Sequence, residues 1–106
     1  MTDFQTVLRT SDLAPGEMKV LALVGAEVVI ANVSGLFFAF SNVCPHEEGP
    51  LGEGDLEGDI VTCPWHSSRF NVRSGDVVDG VTDDAVRTYE VRVEGDQVQV
   101  RTPDAA

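Results

Sequence analysis

The chain is poor in soft metal ligands, with two cysteines and two histidines in 106 residues. It is also poor in positive charge: seven Lys and Arg stand against 18 Asp and Glu, a formal net charge of -11. Phosphate binding needs clustered cations, so nucleic acid is excluded as a partner, and a basic protein surface is the natural complement. No apolar run approaches the roughly 18 residues of a membrane helix; the longest, residues 20–26, contains Gly25. A secretory signal is lacking too, because Asp3 stands where basic residues and then an apolar segment would be needed. Read as the native start, this predicts cytoplasmic residence and no membrane association. In that compartment a cysteine pair more often binds metal or does redox chemistry than forms a disulfide.

What is present suits one small domain spanning residues 1–106. Apolar residues at 42% and charged ones at 24% fall in the ordinary globular range. Helix signals are nearly absent. "MKVLALV", "EVVIANV", "LFFAF", "DIVTC", "YEVRV" and "QVQVR" read as short strands by alternation and β-branched content. Turn residues separate them at Gly25-Ala26-Glu27, Ser34-Gly35, Ser74-Gly75-Asp76 and Glu94-Gly95-Asp96, the last predicting a hairpin. The fold class is therefore all-β, an antiparallel sandwich or small barrel. Phe37, Phe38, Phe40 and Tyr89 lie in strand-like segments and are expected in the core.

One window breaks the pattern. "CPHEEGPLGEGDLEGDIVTCPWH", residues 44–66, holds every cysteine and histidine of the chain. Pro45, Gly49, Pro50, Gly52, Gly54 and Gly58 place Cys44 and His46 on a loop. A short strand then leads into a second loop at Cys63, Pro64, Trp65 and His66. The ligand set is Cys44-x-His46, sixteen residues, then Cys63-x-x-His66. Two thiolates and two imidazoles can hold one tetrahedral zinc or a two-iron, two-sulfide cluster. Structural zinc sites usually pair like ligands two to four residues apart, whereas each half here supplies one sulfur and one nitrogen. The mixed split suits a dinuclear centre.

Here the chain resembles the Rieske iron-sulfur proteins, whose pattern is C-x-H, a spacer of similar length, and C-x-x-H. The resemblance extends through "PLGEG" and "CPWHSSRFNVRSG" and is strong over residues 44–76. It is greatest to the small ferredoxins that feed electrons to bacterial ring-hydroxylating dioxygenases. It implies a β-sandwich with an inserted cluster-binding subdomain of two loops, at about residues 42–80, and one [2Fe-2S] cluster of Rieske type per chain. Cys44 and Cys63 would ligate the inner iron, and His46 and His66 the solvent-facing one. The function implied is that of a monomeric one-electron carrier, not catalytic alone. Its partners would be an NAD(P)H-dependent flavoprotein ferredoxin reductase and a terminal oxygenase. With both histidines used as ligands, no two-His, one-carboxylate iron site remains for an oxygenase reaction. Two other readings stay open: the small Rieske subunit of a larger reductase, such as a nitrite reductase, and a zinc-stapled interaction module.

Between His46 and Cys63 lie Glu47, Glu48, Glu53, Asp55, Glu57 and Asp59, with no Lys or Arg. They form either a solvated acidic loop or a collar that steers a basic partner. The resemblance also bears on potential. The high-potential respiratory relatives carry an extra cysteine in each loop, and this chain has none to spare. Ser68 matches a serine whose hydroxyl bonds a cluster sulfur in those relatives, but Phe70 stands in place of a second donor, a tyrosine. Ser67, Asn71 and Val81 depart from a frequent glycine, aspartate and proline of the ferredoxins. With one sulfur donor fewer, the midpoint potential should fall below zero, in the lower part of the roughly -150 to +300 mV Rieske range. A redox titration checks this, and a clearly positive midpoint overturns it.

Overall fold

The run from Val28 to Val33 offers no polar alternation until Asn32, the pattern of a strand covered on both faces. In the computed structural model, whose described residues are 4–23, 26–42, 50–64, 68–79 and 85–101, all six of its residues are buried. Ten strands occur in chain order: β1 (Gln5–Arg9), β2 (Met18–Leu23), β3 (Ala26–Val33), β4 (Leu36–Ser41), β5 (Asp55–Glu57), β6 (Ile60–Thr62), β7 (Arg69–Asn71), β8 (Val77–Asp79), β9 (Thr88–Glu94) and β10 (Gln97–Arg101). Single 3-10 turns occupy Thr10–Asp12 and Leu51–Glu53, and no α-helix is found among the described residues. The all-β class is as expected.

A six-stranded antiparallel sheet runs in the order β1-β10-β9-β4-β3-β2, and a separate four-stranded sheet in the order β5-β6-β7-β8. The large sheet consists of two three-stranded leaves. They meet where Ala39 pairs with Tyr89 and Phe40 with Thr88, and the Ser41 N–H extends that contact by donating to the Arg87 carbonyl at 2.8 Å. The period of two along β3 assigns alternate residues to different cores. Val28 and Ile30 join Leu8, Leu13, Ala39, Val98 and Val100 between the leaves. Val29, Ala31 and Val33 point the other way, onto Phe40, Leu51, Val61, Cys63, Phe70, Val72 and Val86, which fill the space toward the small sheet. Full burial of a side chain such as Phe40 or Val61 stabilises by about 1.5–3 kcal/mol, so the second core joins the two sheets firmly.

The one polar residue inside β3 has its hydrogen bonds met. Asn32 donates from Nδ2 to the Leu13 carbonyl at 2.7 Å and accepts at Oδ1 from the Gly35 N–H at 2.8 Å. It ties the β3–β4 turn, where Ser34 has φ 53° and Gly35 φ 92°, to the segment that follows β1.

Four expected strands and the β9–β10 hairpin occur nearly as read, with Val98 opposite Val93 and Val100 opposite Val91. "DIVTC" is strand only over Ile60–Thr62, and "YEVRV" gains a residue at each end. The turn expected at Gly25-Ala26-Glu27 is displaced: Ala26 pairs with Leu23 and Glu27 with Ala22 inside the β2–β3 ladder, while residues 24 and 25 lie outside the described ones. Strands β5, β7 and β8 escaped the sequence because three residues are too few for alternation to register. Strand β1 escaped because most of its side chains face water, with Leu8 alone fully buried. Phe40 is a core residue as expected, whereas Phe37, Phe38 and Tyr89 pack against the cores half-buried.

Two glycines fix how closely the pieces approach. A Cβ on Gly54 would lie 1.9 Å from the Thr62 carbonyl oxygen. A Cβ on Gly75 would lie 2.3 Å from the Val86 carbonyl oxygen, and its φ of 82° disfavours side chains besides. Since backbone must move in both cases, Gly54→Ala and Gly75→Ala should each lower stability by about 1–3 kcal/mol, read as a lower urea midpoint. An unchanged midpoint would show that the approach is looser than described.

Candidate metal centre

The apolar core beside the small sheet also holds the described thiol. Cys63 follows β6 directly and is 1% exposed, among Val61, Phe70 and Leu51. Its backbone N–H donates to the Ser68 carbonyl at 2.8 Å, a rung just beyond the β6–β7 ladder. Cys63 and Ser68 thus lie side by side as the described stems on either side of the segment 65–67. Ser68 is fully buried, and Pro64, one step past Cys63, is exposed. The sequence predicted a strand leading into a ligand loop here: the strand is found, while Trp65 and His66 of the loop lie outside the described residues.

A second pair of stems, flanking the segment 43–49, is rooted on the same core. Asn42, at the end of β4, accepts at its backbone carbonyl from the Leu51 N–H at 2.8 Å and at Oδ1 from the Gly52 N–H at 2.7 Å. Its own N–H donates to the Glu27 carbonyl at 3.0 Å, and Nδ2 donates to Glu27 Oε1 at 3.1 Å. One buried side chain thus clamps both stems of the segment 43–49 to each other and to β3. Leu51 plugs the core beneath. "PLGEG" acquires its physical sense at this point. A Cβ on Gly52 would lie 2.2 Å from Val20 Cγ2, and Gly54 abuts the backbone of Thr62, next to Cys63. Bare backbone lets the stem of one loop lie against the stem of the other.

A third stem meets them. Asn71 donates from its N–H to the Asp76 carbonyl at 2.9 Å and accepts at its carbonyl from the Gly75 N–H at 2.7 Å. Its Oδ1 accepts from the Arg73 N–H at 2.8 Å, folding the turn after β7 as an Asx turn. The Val86 N–H in turn donates to the Gly75 carbonyl at 2.8 Å. Asn71, read in the sequence as a departure near the cluster, is thus a turn-forming residue.

Cys44, His46 and His66 lie outside the described residues, as do Trp65, Ser67, Val81 and the acidic pair Glu47 and Glu48. Among the described residues no group of three metal-ligating side chains is gathered. The rest of the acidic series divides. Glu53, Asp55 and Glu57 are exposed, whereas Asp59 is paired with Arg73 at 3.3 Å. Asp79 takes a further cation: the Arg69 Nε donates to Asp79 Oδ2 at 3.1 Å. That hydrogen bond, then the charge of the same carboxylate, raises the Arg69 guanidinium above its ordinary pKa. Sequence reading missed these arginines as neighbours of the acidic stretch because they follow it by ten residues or more, across the small sheet.

A cluster of irons and sulfides needs thiolate ligands on a side protected from water, and the placement of Cys63 fits that need. The sequence profile of the Rieske [2Fe-2S] domain matches residues 3–90. The chain belongs to the Rieske [2Fe-2S] domain family. It is 38% identical over 94 residues to the biphenyl 2,3-dioxygenase ferredoxin component of Rhodococcus jostii (strain RHA1), covering 89% of this chain and 88% of that one. It is 34% identical over 101 residues to apoptosis-inducing factor 3 of Mus musculus, covering 95% of this chain. There it spans only 17% of the relative's length. Among solved structures it resembles a chain of the complex of reduced oxygenase and oxidized ferredoxin in carbazole 1,9a-dioxygenase. That likeness has a TM-score of 0.87 and 32% identity, and covers 91% of this chain and 99% of the other.

The clamp at Asn42 is open to direct test. Asn42→Ala removes the acceptor for the Gly52 N–H and the donor to Glu27, and should cost about 1–3 kcal/mol in urea unfolding. A change within error would mean that the stem is held by Leu51 alone.

Proposed function

We propose that the chain is a one-electron carrier, a Rieske ferredoxin standing between a flavoprotein ferredoxin reductase and a terminal oxygenase. Cys44 and Cys63 are assigned to the inner iron and His46 and His66 to the outer one. When bound, the [2Fe-2S] cluster supplies a site that takes up and releases one electron. The observation that carries the assignment is the orientation of the described stem. Cys63 is shut in the apolar core and Pro64 after it is exposed, so the thiol end of the motif faces inward and the chain reaches solvent one residue later. Likeness over nearly the whole chain to a dioxygenase ferredoxin component supports the carrier role. The reading includes a monomer of one domain, residues 1–106, with a cluster-binding subdomain at about 42–80, working in the cytoplasm. The strands of the small sheet, which fall within that range, support the boundaries. No helix among the described residues is long and apolar enough to cross a membrane.

The protein's own residues have two tasks in this reading. Apolar neighbours of Cys63 exclude water from the inner ligands, while carboxylates outside steer the partner. Glu53, Asp55 and Glu57 remain exposed after Arg73 and Arg69 have taken Asp59 and Asp79. Asp55 and Glu57 lie on β5, an edge of the small sheet. Charges there also discourage pairing with a foreign strand, which is the structural alternative to steering.

A second reading is the small electron-transfer subunit of a larger reductase; the match to 17% of a much longer relative shows that a similar segment occurs within a larger protein. A stable partner on purification would indicate that reading.

The test is composition followed by kinetics. The purified chain should carry two irons and two acid-labile sulfides and lose both on Cys63→Ser; a colourless protein with one zinc would overturn the assignment. Electron transfer to an oxygenase of the dioxygenase class should slow as salt is raised, and Asp55→Asn with Glu57→Gln should flatten that dependence. Rates independent of salt would leave those carboxylates as edge protection only.

A further inference from the structure

The two leaves of the large sheet part company at one end. Beyond the rung between Ala39 and Tyr89, strands β4 and β9 run on as Leu36–Phe38 and residues 90–94 with no further pairing recorded between them. The gap is a groove of about 540 Å³, within the roughly 300–1,000 Å³ range of small-molecule sites. Leu36 and Phe38 line one wall and Val91 and Val93 the other; Leu36 is 54% and Val93 47% exposed, high for large apolar side chains. Strand direction fixes its place. Strand β4 runs from the groove toward Asn42, and β9 runs from the segment 80–84 toward the groove. Strand β7 likewise runs from Ser68 toward Arg73, so the groove lies away from the stems at Asn42 and Cys63, beside the turn after β7 that carries Arg73.

Its charge is opposite to that of the chain. Acidic residues outnumber basic ones 18 to seven overall, yet the groove is lined by two arginines, Arg73 and Arg92, and by no carboxylate among the described residues. Both guanidinium groups are braced. Arg73 sits 4.9 Å over the Phe38 ring with its Nε 3.3 Å from Asp59, and Arg92 sits 4.3 Å over Phe4 with its Nε donating to Gln99 at 2.6 Å. The more distant contact of Arg92, to Glu94 at 4.0 Å, is also made by Nε. At both arginines these contacts are made through Nε, and a guanidinium is the fork that grips a carboxylate or sulfonate.

We propose that this groove binds an amphipathic organic anion, a hydrocarbon or aromatic body with a carboxylate or sulfonate head, held between β4 and β9 with its head on Arg73 and Arg92. An apolar body removes Leu36 and Val93 from water, and the head meets the two cations that this acidic chain places there. A polyanion such as nucleic acid is disfavoured by the surrounding negative charge, whereas a single anionic head is not. The site does not rest on the carrier role, since none of its lining residues is one of the four candidate cluster ligands.

Calorimetric titration of the cluster-loaded chain with octanoate, with naphthalenesulfonate and with uncharged octanol tests the assignment. Both anions should saturate a single site and bind about tenfold or more tightly than octanol, the scale of a charge-assisted hydrogen bond. The double variant Arg73→Gln, Arg92→Gln should bind octanoate no better than octanol while keeping the native visible absorption. Val93→Glu, at an exposed position, should weaken the anions more than octanol and serves if the double variant folds poorly. Equal affinity for octanoate and octanol, no saturable binding, or retention of anion preference in both variants would overturn the proposal.

Discussion

Strand β3 is covered on both faces, and the rest of the architecture follows from that constraint. Its even-numbered residues Val28 and Ile30 close the space between the leaves, and its odd-numbered residues Val29, Ala31 and Val33 close the space toward the small sheet. A single strand therefore belongs to two cores, and neither can loosen without exposing it. The second core is the one that matters for chemistry. Leu51, Cys63, Phe70 and Val86, the roots of the loop stems, all pack in it.

Hydrogen bonds supply what apolar packing cannot, which is position along the chain. Asn42 joins the ends of the segment 43–49 with its main-chain carbonyl and Oδ1, and Asn71 and Gly75 connect the turn after β7 to Val86. Each of these contacts pairs backbone groups that would otherwise be unsatisfied near the core, where an unmet donor costs about 1–3 kcal/mol. Gly54 and Gly75 then let one backbone lie directly on another. Electron carriers gain from such stiffness, because a ligand frame that does not move has little to reorganise when charge arrives.

Charge is unevenly placed. Asp55 and Glu57 are exposed on β5, an edge of the small sheet, Asp79 and Asp59 are matched by Arg69 and Arg73, and the groove is lined by two arginines and no carboxylate among the described residues. Arg73 takes part in both arrangements, bridging to Asp59 while lying over Phe38. An acidic chain can thus present different electrostatic faces without any change in net charge.

The sequence by itself determined the all-β class and the β9–β10 hairpin, and it led to the expectation that Cys44, His46, Cys63 and His66 form one ligand set. These are local signals: a period of two, turn residues at fixed offsets, and rare side chains at short spacing. It could not announce β5, β7 and β8, whose three residues each are strands only because neighbours pair with them, nor the pairing of Arg73 with Asp59, fourteen positions apart. It read Asn71 as a change at the cluster where the fold uses it to make a turn, and it gave no sign of the groove. Leu36 and Val93 are 57 positions apart in the chain, and what brings them together is the end of the β4–β9 ladder after two rungs. Where paired strands stop pairing is a balance of contacts across the whole sheet, so only the tertiary structure decided it.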